Sequence, residues 1–89
     1  FLVLLDEKGK NLSSREFAKE LINFGNRSLH NVVFLIGGAY GFSDEMHNRS
    51  NLKISLSKMT FSHQLIRTIF LEQLYRAGTI IKGEAYHND

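Results

Sequence analysis

The chain contains no cysteine, which excludes a disulfide scaffold and any thiolate metal site. That absence fits a reducing cytoplasm. No apolar run approaches the ~20 residues a helix needs to cross a bilayer. The opening Phe1-Leu2-Val3-Leu4-Leu5 has the character of a signal-peptide core, but no basic region precedes it and Asp6-Glu7 follows at once. A strong charge of one sign is also missing: the net charge is +2 over 89 residues. Residues 1–50 hold six basic and six acidic side chains, whereas residues 51–89 hold five basic (Lys53, Lys58, Arg67, Arg76, Lys82) and three acidic. This mild tilt toward anions is also what an ordinary solvated surface produces.

Several chemistries lack their signatures. His30, His47, His63 and His87 show no metal-ligand spacing and no accompanying carboxylate cluster, so no metal site is expected. No GxSxG elbow is present, which removes the usual nucleophilic hydrolases. Gly37-Gly38 fits neither the dinucleotide fingerprint nor a P-loop, since no Gly-Lys-Ser/Thr follows. There is no repeat, low-complexity segment or linker, so residues 1–89 read as a single domain.

What remains is ordinary globular material, 43% hydrophobic and 22% charged. A domain this small buries a modest share of its surface, and dimerisation would help. The chain begins without methionine, already inside an apparent strand, and reads as a fragment whose upstream part is missing. The apolar runs Phe1–Leu5 and Val32–Ile36 predict strands from the middle of a parallel sheet, covered on both faces. Leu52–Leu56 alternates and predicts a third strand. Ser13-Ser14-Arg15-Glu16 is a capping box opening a helix with Phe17, Ala18, Leu21 and Ile22 on its apolar face and Gly25 as its stop. Ser43-Asp44-Glu45 opens a short second helix. A long helix starts near Ser62, with Leu65, Ile66, Ile69, Phe70, Leu74 and Ala77 on one face and Gly78 as its end. A tail, Thr79 to Asp89, follows.

In an open α/β sheet, ligands bind beyond the carboxyl ends of the strands. Three segments occupy that position: Leu5-Asp6-Glu7, Gly37-Gly38-Ala39-Tyr40-Gly41, and Ser57-Lys58-Met59-Thr60-Phe61. The glycine pair permits close backbone approach to a ligand or simply makes a tight turn. Met59 and Phe61 either plug the core beneath the last helix or wall an apolar slot for a flat ring.

Four ordered motifs carry a family resemblance. Phe34 to Gly41 resembles the FxIGGxxG segment of the RlmH-type ribosomal RNA (pseudouridine-N3)-methyltransferases of the SPOUT (α/β-knot) class. Ile54 to Arg67 resembles their LSxSKMTFxHQxxR segment. Glu72 to Ala77 resembles EQxYRA, and Gly83 to His87 resembles the closing GExYH. The chain looks like the C-terminal part of such proteins. Serine replaces the usual proline at Ser62, where it can cap the helix instead.

The resemblance implies a parallel α/β sheet with flanking helices whose C-terminal segment threads a loop as a trefoil knot. It implies a homodimer that transfers a methyl group from S-adenosyl-L-methionine to N3 of a pseudouridine in 23S rRNA, on assembled ribosomes in the cytoplasm, without membrane or metal. By position, Leu5, Gly37, Gly38, Leu56, Ser57, Lys58, Met59, Thr60 and Phe61 would hold the cofactor. Arg76, Tyr86 and His87 would lie near the methyl donor, with His87 the expected base and Arg76 a holder of the imidate or a phosphate. The shortened chain would lose sheet neighbours and RNA-binding surface. Two other readings stand beside this one: a catalytically inactive RNA- or ribosome-binding fragment, and an unknotted, flavodoxin-like small-molecule domain. Asp6-Glu7 speaks against a bound phosphate in the latter.

Overall fold

The computed structural model describes residues 1–29, 31–37 and 41–88. Elements follow in the order β1 (Leu2–Asn11), α1 (Ser14–Asn26), β2 (Val33–Ile36), α2 (Asp44–Arg49), β3 (Leu52–Ser55) and α3 (His63–Lys82). The strands form one parallel sheet in the order β2-β1-β3. Alternating strand and helix, as read in the sequence, give this α/β class.

β1 is the central strand. The two-residue period sends Val3 and Leu5 to one face and Leu4 to the other, and all three are buried. That explains the unbroken apolar run. β2 carries a similar run but lies at an edge of the described sheet, where Val33 is half-exposed. Its expected place in the middle of the sheet is therefore corrected.

α1 and α3 pack together on one face of the sheet. Phe17 of α1, Phe34 of β2 and Phe70 of α3 meet there, with ring centroids 4.9 Å apart for Phe34–Phe70 and 6.3 Å for Phe17–Phe34 and Phe17–Phe70. Such aromatic pairs contribute about 0.5–1.5 kcal/mol beyond their area burial. Phe24 is also buried in this core, whereas Ile22 and Leu65, expected on the apolar faces, are close to half-exposed.

The helix starts match the sequence. Ser13 Oγ accepts from Glu16 N–H at 3.1 Å, and Glu16 Oε1 accepts from Ser13 N–H at 2.8 Å. Ser62 Oγ caps α3 by accepting from Leu65 N–H at 3.3 Å. The ends differ. α1 runs past Gly25 to Asn26, and Ser28, with φ 57°, takes the left-handed turn. α3 runs through Gly78 to Lys82, because Ala77 and Thr79 are buried and Ile80 packs on the core. It stops at Gly83, φ 74°, where Gly83 N–H donates to Ile80 O and Glu84 N–H to Thr79 O. This pair of bonds is a Schellman closure.

β1 does not end at Leu5, as the sequence implied, but continues to Asn11. Its register against β3 shifts on the way: Leu5 pairs with Ile54, and then Lys10 pairs with Ile54 again. Residues 6–9 therefore leave the ladder as an excursion and return. The return brings Gly9 so close to β3 that an added Cβ would lie 2.7 Å from the Lys53 carbonyl carbon and 2.8 Å from Ile54 N. Both are backbone atoms and cannot swing aside.

Gly9→Ala should therefore destabilise the fold by about 1–3 kcal/mol, as overpacking does. At Gly25 an added Cβ meets nothing within 4 Å, so Gly25→Ala in the helix should stabilise by about 0.5–1 kcal/mol. Denaturant melts of both variants check this; equal effects would contradict the close β1–β3 approach.

Candidate functional site

A cavity of about 520 Å³ opens beyond the carboxyl ends of β2 and β3, beside the excursion in the middle of β1. Its size falls within the range of small-molecule sites. Leu5, Asp6 and Glu7 reach it from β1, Ile36 and Gly37 from β2, and Leu56, Ser57, Met59, Thr60 and Phe61 from the loop after β3. Gly41, Phe42, Ser62, His63 and Ile66 complete the lining. Most of the residues expected at the cofactor thus surround one space. Lys58 is exposed and outside the lining, and Gly38 lies outside the described residues. Phe61 is half-buried, while Met59, 71% exposed, stands at the rim.

Side-chain hydrogen bonds tie the three strand ends together. Thr60 Oγ1 donates to Glu7 Oε2 at 2.8 Å, joining the β3 loop to the β1 excursion. His63 Nδ1 lies 3.0 Å from Gly37 O, joining the start of α3 to the end of β2. Ser55 Oγ donates to Ser57 O at 2.8 Å, and Ser57 Oγ accepts from Met59 N–H at 3.0 Å. Space at Gly37 is tight: an added Cβ would lie 3.1 Å from the Phe42 ring, which would have to shift by a few tenths of an ångström.

The lining is acidic. It contains the carboxylates of Asp6 and Glu7 and, among the described residues, no lysine or arginine. Asp6 also faces His47 of α2, 3.7 Å from Nε2 to Oδ2. Such a site favours a cation over a phosphate. No group of three or more His, Cys, Asp or Glu that could hold a metal occurs among the described residues. No described helix is long and apolar enough to cross a membrane.

A second cluster forms where the tail folds back on α3. Arg76 Nη2 donates to Glu72 Oε1 at 2.8 Å and Arg76 Nε to Glu72 Oε2 at 3.4 Å, an i,i+4 fork. Tyr86 OH donates to Glu72 Oε1 at 3.1 Å, and the Arg76 guanidinium sits 4.9 Å over the Tyr86 ring. Arg76 Nη1 reaches His87 Nδ1 at 3.1 Å, and Tyr75 meets Tyr86 edge-on at 5.0 Å. The bond from Arg76 holds the Glu72 carboxyl below its ordinary value near 4.5. The bond to Glu72 in turn raises the Tyr86 phenol above 10.0. Arg76, Tyr86 and His87 thus come together as expected, but away from the cavity lining. Ile66, which lines the cavity, and Arg76 are about 15 Å apart along α3 at ~1.5 Å per residue.

Sequence reasoning missed His63 and Ile66 as lining residues. The usable signal was the abrupt start of α3 after the β3 loop, which aims its first turn at the same space. Glu72 was also missed, although its i,i+4 spacing to Arg76 marks a partner.

Fold and site together define an open parallel α/β domain with a cavity beyond the carboxyl ends of β2 and β3, where such folds place their ligands. The family model described as "Predicted SPOUT methyltransferase" matches residues 1–87, and the chain belongs to this family. A methyltransferase family implies a methyl donor. The ribosomal RNA large subunit methyltransferase H of Cytophaga hutchinsonii is 59% identical over 87 residues, covering 98% of this chain and 56% of that protein. The proteins of the same name from Christiangramia forsetii (56% identical over 88 residues, 99% and 56% covered) and Flavobacterium psychrophilum (53% over 87, 98% and 55%) are similar to it as well. The chain spans about half the length of the curated relatives it matches.

The tail clasp should be pH-limited at both ends. A lowered Glu72 value means its contribution is complete above 4.5 and lost as pH falls through the folded value. A raised Tyr86 value means its contribution is complete below 10.0 and lost as pH rises through the folded value. Near-ultraviolet circular dichroism of the Tyr75–Tyr86 pair should report both transitions. Hydrogen exchange of residues 83–88 should lose protection in Arg76→Ala at neutral pH; unchanged protection would show that Arg76 does not hold the tail.

Proposed function

We propose that this chain carries the cofactor site of an S-adenosylmethionine-dependent methyltransferase acting on N3 of a pseudouridine in 23S rRNA, on assembled ribosomes in the cytoplasm. The observation that supports it best is the partly apolar cavity built largely from residues of the first two family motifs, to which Asp6 and Glu7 of β1 add acidic character. The names of the relatives supply the substrate class.

The residues present fit the cofactor. A cationic sulfonium is matched by Asp6 and Glu7, and the same carboxylates disfavour the phosphate of the flavodoxin-like alternative. Leu5, Leu56 and Phe61 give apolar walls for a flat ring, and Gly37 leaves room that a Cβ would fill against Phe42. Backbone at Ser57, Lys58, Met59 and Thr60 would read the ring's edge. S-adenosylmethionine, when bound, supplies a methyl group on a sulfonium sulfur. Holding the methyl donor and its acceptor in line, with water kept out, is where most of the acceleration would arise.

Arg76, Tyr86 and His87 would hold the acceptor. Their separation from the cavity along α3 supports a homodimer in which one chain's tail meets the other chain's cavity. A C-terminal trefoil knot belongs to the same proposal.

Calorimetric titration with S-adenosylmethionine tests it. Saturable binding is expected, weakened on the order of tenfold (about 1.4 kcal/mol) by Gly37→Val and less by Met59→Ala at the exposed rim. A folded chain that binds none would sink the reading.

A further inference from the structure

The hydrogen-bond partners of two histidines fix opposite tautomers. A guanidinium only donates, so the contact from Arg76 Nη1 makes His87 Nδ1 an acceptor and puts the neutral ring's proton on Nε2. A carbonyl oxygen only accepts, so the contact with Gly37 O puts the His63 proton on Nδ1. The His63 lone pair therefore sits on Nε2, on a residue that lines the cavity. His47 has no place in that lining and turns its own Nε2 toward the Asp6 carboxylate.

We infer that His63, through Nε2, is the base that takes the imide proton of the methyl acceptor, a role that rests on the methyltransferase reading above. The acceptor N–H bond breaks and its proton moves to Nε2. The freed nitrogen pair forms the bond to the methyl carbon, and the carbon–sulfur bond breaks with its pair staying on sulfur. One positive charge is lost at sulfur and one is gained on the imidazole, so the net charge of the site is unchanged. Asp6 and Glu7 belong to the same lining and would offset the positive charge before and after the step. The Nδ1–H bond to Gly37 O strengthens as the ring becomes cationic, because charge-assisted bonds are the stronger ones. The same bond fixes the ring's orientation beforehand.

The test combines ring nitrogen-15 NMR with one isosteric variant. In the wild-type chain near neutral pH, the spectrum should show His63 protonated on Nδ1 and His87 on Nε2, whether or not cofactor is present. His63→Asn keeps an amide N–H where Nδ1–H stands but has no group at Nε2. It should still bind S-adenosylmethionine saturably, yet methylate unmodified ribosomes ~10²–10⁴-fold more slowly with cofactor saturating. The acidic limb of its pH–rate profile should disappear, and added imidazole should restore part of the rate. An Nε2–H tautomer at His63, or a His63→Asn enzyme with the wild-type rate and pH profile, overturns the base assignment alone. A folded wild-type chain that binds no S-adenosylmethionine overturns the methyltransferase reading and the assignment with it.

Discussion

The site depends on Ile54 being met twice by the same strand, first by Leu5 and again by Lys10. An unbroken β1 would carry Asp6 and Glu7 on opposite faces of the sheet. The excursion instead lets both line one cavity, and Glu7 can then accept from Thr60 and anchor the loop after β3. All of this requires the chain to return past the β3 backbone at a distance only glycine tolerates. Gly9, which touches no ligand, is thus a condition for the geometry of residues that would.

α3 carries the second constraint. Its first turn closes the cavity through His63 and Ile66, its middle buries Phe70 and Ala77, and Glu72 with Arg76 receives the tail. Because Phe70 is locked against Phe17 and Phe34, the helix cannot slide or rotate without opening the core. Replacing Phe70 by alanine would cost about 3–5 kcal/mol. The helix is therefore a rigid spacer between cavity and cluster. Had it stopped at Gly78, Thr79 and Ile80 could not have been ordered on it, and the turn that brings Tyr86 back over Arg76 would start elsewhere.

The alternation of strands and helices, the serine N-caps and the segment after β3 were legible from composition and spacing. These depend on local chemistry: a hydroxyl before a helix, an apolar run in a buried strand. The excursion in β1 was not legible, since Asp6 to Gly9 is an ordinary polar stretch until β3 lies beside it. The true helix stops were obscured for a similar reason. Gly25 and Gly78 are the residues that commonly end helices, yet α1 ran one residue past the first, tertiary contacts carried α3 past the second, and Ser28 and Gly83 took the left-handed positions. Histidine roles were the least legible. His63 and His87 differ in tautomer through what sits opposite Nδ1, a carbonyl in one case and a guanidinium in the other.

The distribution of charge separates two kinds of ligand. Asp6 and Glu7 are inside the cavity, while Lys53, Lys58, Arg67 and Lys82 are outside its lining and Arg76 is engaged by Glu72. The mild basic tilt of residues 51–89 therefore does not act in the cavity. Attraction of a polyanion to exposed lysine and arginine is long-ranged and weakens steeply with salt. Attraction of a cation to carboxylates in a partly apolar cavity is short-ranged and less screened. In the proposed reaction, RNA would be drawn to the outer surface while the cationic methyl donor is held within, and neither charge would need to displace the other for the two to meet at the cavity mouth.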